Sequence, residues 1–288
     1  MHIQPYEPDE LTFAWCYRIY LRWRTHRLRS YPQLAELNCE TLVEIADRYD
    51  IHVLEATTSD TDVLLLLSLR PQESVSTCAS KLKGQISKWL RQRLRLSEPA
   101  NLLSRGYFAT TTGKSTPAAV DDYLSSQGEH HGYAARVRPP VHVQQYELTT
   151  ADQERLQAKH AYSMLRHHIV LATWRRRGVF GQPAGEALSQ RWRTVLVDMR
   201  AALLKISFVP DHVHLALRMH PAVAPSEVIV RLMNESQQLM WQRFDDSVIR
   251  AGVERLWQPI AYPGSYGDLA SPQISRYIQD WESEIKRE

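Results

Sequence analysis

DHVHLALRMHPAVAPSEVIVRLMNESQQLMWQR, residues 211–243, has a counterpart earlier in the same chain. Residues 61–93, TDVLLLLSLRPQESVSTCASKLKGQISKWLRQR, align with it without a gap at a shift of 150. Val63 meets Val213, Leu65 meets Leu215, Leu67 meets Leu217 and Pro71 meets Pro221. Further on, Ser76 meets Ser226, Leu82 meets Leu232 and Gln92-Arg93 meets Gln242-Arg243. Each copy reads as a strand, a proline turn and a helix, with Ser76 or Ser226 as the expected cap. A period this long marks a duplicated structural unit.

A second match extends the duplication. SRGYFATTTGKSTPAAVDDYLSSQ (104–127) aligns with QPIAYPGSYGDLASPQISRYIQDW (258–281) at a shift of 154, pairing Gly113 with Gly267, Val120 with Ile274 and Tyr123 with Tyr277. Each copy reads as a short strand, a glycine turn and a helix opening near Ser115–Pro117 or Ser271–Pro272, where proline suits the first turn. YRIYLRWRTHRLRSYPQL (17–34) and RHHIVLATWRRRGVFGQP (166–183) match more loosely, both as alternating strands running into arginines. Each half is therefore expected to run strand, helix, strand, helix, strand, helix. The join falls in RVRPPVHVQQYELTTADQ (136–153), where two prolines break regular structure and His142-Val143-Gln144 reads as linker. The expected domains are 1–148 and 149–288. The expected class is α+β: two tandem ferredoxin-like or RRM-like domains, each an antiparallel sheet with helices on one face. The sheets should pair or pack across a pseudo-two-fold.

Bulk composition narrows the rest. The 288 residues suit two ordinary domains. No apolar run approaches the roughly 20 residues that cross a bilayer. The opening MHIQPYEPDE is acidic and polar, unlike a signal peptide. Three scattered cysteines suggest reduced thiols and a cytoplasmic protein. A net charge of +3 is mild, but 17–29 and 173–178 concentrate arginines among aromatics. Trp23, Trp174 and Tyr107 could stack on unpaired bases, or the tryptophans could fill their strands' cores. There is no glycine-framed serine, no GxxxxGK[ST] loop and no CxxC pair.

The two halves differ where chemistry is expected. His212 and His214 alternate on a strand and so share a face; the first half has Asp62 and Leu64 there. The first half has Tyr123 and, one helical turn on, Gln127; the second keeps Tyr277 but has Trp281 in the glutamine's place. Only the two halves together hold His212, His214, Tyr123 and Gln127.

DHVHLALRMHP (211–221), YLSSQ (123–127) and the helix KLKGQISKWL (81–90) resemble the single-tyrosine HUH transposases of insertion sequences and of REP-associated elements. The resemblance spans most of both halves. It implies a tandem fused pseudodimer in which the tyrosine helix of one half docks at the histidines of the other. It implies Tyr123 as nucleophile and His212, His214 and Gln127 as ligands of a divalent metal, Mg2+ or Mn2+. The second composite site, with Asp62, Leu64, Tyr277 and Trp281, would be inactive. The implied reaction is cleavage and rejoining of single-stranded, hairpin-bearing DNA through a 5′-phosphotyrosine, by a monomeric pseudodimer without membrane contact. Arg22, Arg24, Arg27, Arg29, Lys81, Lys83, Lys88, Arg175, Arg176 and Arg177 are candidate phosphate contacts. His130 and His131 read as surface or DNA-contact residues. The alternative is a transposase that has lost catalysis and binds DNA hairpins.

Overall fold

The computed structural model describes residues 4–97, 101–113, 115–125, 140–267, 278–279, 281–283 and 285. The first half contains β1 (Thr12–Phe13), β2 (Arg18–Arg24), α1 (Pro32–Ala35), α2 (Cys39–Asp47), β3 (His52–Thr58), β4 (Asp62–Ser68), α3 (Val75–Arg93), β5 (Tyr107–Thr112) and α4 (Pro117–Ser125). Then come β6 (His142–Gln145), α5 (Thr150–Arg155), β7 (Ala161–Thr173), α6 (Gln182–Asp198), β8 (Ala201–Val209), β9 (His212–Met219), α7 (Pro225–Arg243), α8 (Asp245–Ala251) and β10 (Trp257–Ser265). Residues 278–279, 281–283 and 285 are helical.

The strands run β3-β4-β2-β5 in the first half and β8-β9-β7-β10 in the second. This is the βαββαβ arrangement of a ferredoxin-like sheet. Each half has one strand more than its apolar pattern suggests. β3 is largely exposed and carries no apolar run, whereas β8 is so buried that alternation is lost. The expected linker also contains structure: β6 pairs antiparallel with β8, and Thr149 caps α5 in a reciprocal box with Asp152. Pairing β6 to the outer edge of β8 satisfies backbone groups that would otherwise be bare.

The two sheets pair into one, and the pairing is symmetric. Tyr107 to Thr110 of β5 run parallel to Ala161 to Met164 of β7. Phe13 pairs in parallel with Ala261, and Cys16 with Gly264, in the matching register. The polar bonds repeat as well. Arg166 N donates to Thr111 Oγ1 at 2.8 Å and Arg18 N to Ser265 Oγ at 2.7 Å. Thr111 Oγ1 donates to Tyr266 O at 2.9 Å and Ser265 Oγ to Thr112 O at 2.6 Å. Gly113 and Gly267 mark the crossing: a Cβ on Gly113 would run into Ser265 O, and one on Gly267 into Thr111 O. The expected caps Ser76 and Ser226 serve here instead. Ser76 N donates to Pro221 O at 2.8 Å and Ser226 N to Pro71 O at 3.0 Å, tying each proline turn to the other half's helix. The side-chain cap of α3 is Ser74, which accepts from Thr77 N.

Alternation on the strands sends Leu65 and Leu67, or Val213, Leu215 and Leu217, into cores beneath α2–α3 and α6–α7. Trp23 is in the first core and Trp174 packs against the second. Tyr6, Leu11 and Phe13, from the start of the chain, lie in the second half's core. The Tyr6 hydroxyl accepts from Trp257 N at 2.6 Å and donates to Trp257 O at 2.9 Å. The opposite sheet face receives α4 over the second half and Ile278, Trp281 and Ile285 over the first. Among the described residues, no helix is long and apolar enough to cross a membrane.

His167 lies on the core side near the dyad, where the first half has Ile19. Both its ring nitrogens are buried without a hydrogen bond, edge-on to Tyr17 at 5.1 Å. Burial pushes its pKa down to about 3. Unfolded, it would titrate near 6.5, so below that pH the unfolded chain binds the extra proton. Stability should therefore fall as pH drops from 6.5 toward 3 and be unaffected by this group above 6.5. His167→Leu should remove that loss, gaining about 2 kcal/mol over the wild type at pH 5 in a denaturant titration. An equal pH dependence of both proteins would refute this.

Candidate active site

Pro210-Asp211 closes the turn between β8 and β9, and His212 opens β9. His212 and His214 project from the face opposite α6 and α7, and both are buried, 5% and 4% exposed. The His212 Nδ1 lies 2.6 Å from Asp211 Oδ1, and Asp211 Oδ2 lies 2.9 Å from Arg176 Nε. Burial would raise the Asp211 carboxyl, but His212 and Arg176 outweigh it and hold it below the usual range. Arg175 and Arg176 form a turn at φ of 52° and 55°, matched by Arg27 and Leu28 at 51° and 54° in the first half. That left-handed turn, unusual for side chains of this size, brings Arg176 to Asp211.

His214 is held differently. Its Nδ1 shares a 3.0 Å hydrogen bond with His168 Nε2 of the neighbouring β7, and the two rings stack at 5.3 Å. Burial pushes His168 down to about 4, so it is neutral at pH 7. Sequence reasoning missed His168. It follows His167, and strand alternation sends these adjacent histidines to opposite faces. Pairing of β7 with β9 then sets His168 beside Ala216, two residue pairs along and on the same face as His214 opposite Val170.

Tyr123 comes from the other half. α4 crosses the dyad and packs Val120, Tyr123 and Leu124 against Leu204, Ala216 and Tyr266. The half-buried Tyr123 ring stands edge-on to His214 at 5.4 Å and to His168 at 6.1 Å. Lys205, buried in β8, pins this helix: its Nζ donates to Asp121 O at 2.7 Å and to Ser125 Oγ at 2.6 Å. A cation near the last turn of a helix also suits its dipole. Lys205→Met should loosen α4 alone, read as faster hydrogen exchange in 117–125 with the sheet unchanged. Exchange unchanged there would show that the apolar contacts suffice. Gln127, His130, His131 and Tyr277 lie outside the described residues.

The matching place in the first half is filled otherwise. Asp62, in the position of His212, lies 2.7 Å from Arg22 and 3.0 Å from Arg24. Arg24 also meets Glu282 at 2.7 Å. Trp281 is buried against Phe108. Two of the arginines expected at a phosphate backbone are thus engaged inside the protein. Lys81 is paired with Glu73, Lys83 donates to Arg105 O, and Arg177 donates to Ala251 O. Lys88, Arg27, Arg29, Arg175 and Arg176 are exposed, Arg176 while holding Asp211.

The histidine pair suits a divalent cation. A metal takes imidazole on one nitrogen while the other donates to a second group that fixes tautomer and orientation. Here both rings are anchored through Nδ1, His212 by Asp211 and His214 by His168, so a metal would be held by Nε2. Among the described residues, no group of three or more His, Cys, Asp or Glu side chains is arranged to hold a metal by itself.

A protein-family model described as "Transposase IS200 like" matches residues 13–127 and again 161–281. Comparison with curated proteins found no match. Among solved structures, a Deinococcus radiodurans R1 protein assigned as a transposase is 23% identical, with a TM-score of 0.34, over 41% of this chain and 91% of its own. A chlorite dismutase variant from Candidatus Nitrospira defluvii is 11% identical, with a TM-score of 0.21, over 92% of this chain and 95% of its own.

Proposed function

Because the chain belongs to the IS200-like transposase family, whose pattern runs through both halves, we propose that it cuts and rejoins single-stranded DNA at one composite site. Tyr123 is the nucleophile, and His212, His214 and Gln127 hold Mg2+ or Mn2+. The chain is a monomeric pseudodimer of two domains, 1–148 and 149–288. One observation carries this reading: the tyrosine of the first half stands 5.4 Å from a paired histidine of the second.

A free phenol has a pKa near 10 and is a weak nucleophile at neutral pH. A divalent cation, when bound, polarises a phosphate oxygen and offsets the charge that builds during attack. In the cleavage step a bond forms between Tyr123 Oη and phosphorus while the bond to the 3′-oxygen breaks. The proton given up by the phenol is balanced by the one the leaving 3′-oxygen takes. The strand remains as a 5′-phosphotyrosine, and attack by another 3′-OH reverses the step without ATP. Asp211 and His168 keep both imidazoles in the required tautomer, and Lys205 holds the tyrosine helix over them. Exposure of Lys88, Arg27, Arg29 and Arg175 supports them as phosphate contacts. Hairpin-bearing strands are the expected substrate.

The test is a denaturing gel of the protein incubated with Mn2+ and labelled single strands from the DNA flanking its gene. A covalent protein–DNA band supports the reading. Salt-sensitive hairpin binding with no cleavage would instead favour a transposase that now only binds DNA.

A further inference from the structure

The two halves share a turn whose side chains differ. Thr25–Arg29 and Thr173–Arg177 follow the same backbone path, with left-handed residues at Arg27 and Leu28 in one and at Arg175 and Arg176 in the other. The hydrogen bonds repeat. Thr25 N donates to Thr61 O and Thr173 N to Asp211 O, both at 2.9 Å. His26 N donates to Leu102 O and Trp174 N to Leu256 O, again both at 2.9 Å. Leu28 is therefore the counterpart of Arg176, Thr61 of Asp211 and Asp62 of His212.

The side chains change as a set. In the second half a chain of contacts runs from Arg176 Nε to Asp211 Oδ2 at 2.9 Å and from Asp211 Oδ1 to His212 Nδ1 at 2.6 Å. In the first half Leu28 packs with the apolar cluster of Phe108 and Trp281, and Thr61 Oγ1 donates to Asp62 at 3.0 Å. The turn is also tied more closely where the arginine stands. Thr173 Oγ1 lies 2.9 Å from Asp211 O, whereas Thr25 Oγ1 is buried without a hydrogen-bond partner. The half that lacks the histidine thus lacks the aspartate and the arginine behind it.

Stability does not account for Arg176. Its side chain is 51% exposed, and ion pairs this open to water contribute little to folding. Nor does the turn need it, since leucine occupies the same conformation in the first half. What the arginine supplies is direction. A carboxylate with one oxygen held by a guanidinium cannot turn freely, so its other oxygen stays aimed at the imidazole. Asp211 is itself partly exposed, and without that hold its carboxylate could swing toward water.

We infer that Arg176 is a positioning residue of the metal site, acting through Asp211 to fix the His212 ring with Nε2 turned to the cation, and is not one of the arginines that hold the DNA backbone. This rests on the reading of His212 and His214 as metal ligands. Groups that orient a ligating imidazole raise its basicity, and their loss costs about 10–100-fold in metal affinity. Asp211 is such a group, and Arg176 stands one contact behind it, so its own effect is smaller and passes entirely through the carboxylate.

The test measures Mn2+ binding without DNA, by electron paramagnetic resonance of the free ion, for wild type, Arg176→Leu, Asp211→Asn, the double variant and His212→Ala. Leucine is the first half's own residue in this turn, so Arg176→Leu should keep the wild-type melting temperature. It should weaken Mn2+ binding about fivefold, and Asp211→Asn about tenfold or more, with the double variant no weaker than Asp211→Asn alone. Wild-type Mn2+ affinity in Arg176→Leu would overturn the positioning role; weaker binding of a labelled oligonucleotide by that variant would then mark the arginine as a phosphate contact. A further loss in the double variant would also overturn it, because the arginine would act by a route other than Asp211. Mn2+ binding that His212→Ala leaves intact, or none by the wild type, would overturn the metal reading and this inference with it.

Discussion

Tyr123→Phe is expected to abolish the covalent protein–DNA adduct, lowering strand cleavage by at least ~10³-fold, while Tyr277→Phe keeps it. The substitution removes one oxygen and leaves the ring that packs edge-on to His214 and His168. The melting temperature should therefore stay close to that of the wild type, which separates lost chemistry from lost fold. The contrast with Tyr277 follows from the partners each half offers. In the first half the position of His212 is Asp62, bonded to Arg22 and Arg24, and a carboxylate already paired with two guanidiniums is poorly suited to orient a phosphate. Cleavage that survived Tyr123→Phe would point to water or to Tyr277 as nucleophile and would overturn the composite site.

Gly113→Ala and Gly267→Ala should each destabilise the protein by about 3 kcal/mol or more, which for a chain of this size lowers the melting temperature by roughly 6–12 °C. Neither glycine is needed for its dihedral angles. Each is needed because a backbone carbonyl of the other half occupies the place of its Cβ: Ser265 O at Gly113 and Thr111 O at Gly267. A flexible side chain could move aside, but these carbonyls cannot. They are fixed by the sheet, and their neighbours Thr111 Oγ1 and Ser265 Oγ are locked into bonds across the dyad. Thermal melts of the two variants check this directly. A loss below about 1 kcal/mol in both would mean that the crossing can open without cost to the rest.

The duplication, the α+β class and the face shared by His212 and His214 are all legible in the sequence, because they depend on spacing and alternation. The route of α4 into the other half was an expectation from the family resemblance, since no local pattern says where a nine-residue helix docks. What escaped is what depends on strand neighbours. His168 meets His214 only through the pairing of β7 with β9, and Lys205 reads as an interruption in an apolar run until α4 lies over it. Arg22 and Arg24 look like solvent-facing cations because their acidic partners are distant in sequence, Asp62 on the next strand and Glu282 near the chain's end. β3 escaped for the opposite reason: only Val53 and Ala56 pack, and only partly, against the core, so the strand leaves a faint hydrophobic signature.

The seat of Tyr6 has a consequence for the order in which the molecule can be made. Its hydroxyl closes on the backbone of Trp257, 251 residues later, and β1 lies beside β10. A ribosome adding about 5–20 residues per second exposes the first of these segments roughly 10–50 s before the second. Until the second half is made, the opening segment, with Tyr6, Leu11 and Phe13, lacks the core it joins, and β1 lacks its strand partner until β10 emerges. Folding of this chain is thus a closure, in which residues 6–13 emerge long before the strand they settle against. Chaperone dependence during synthesis should accordingly track the time needed to reach β10 more than the stability of either half.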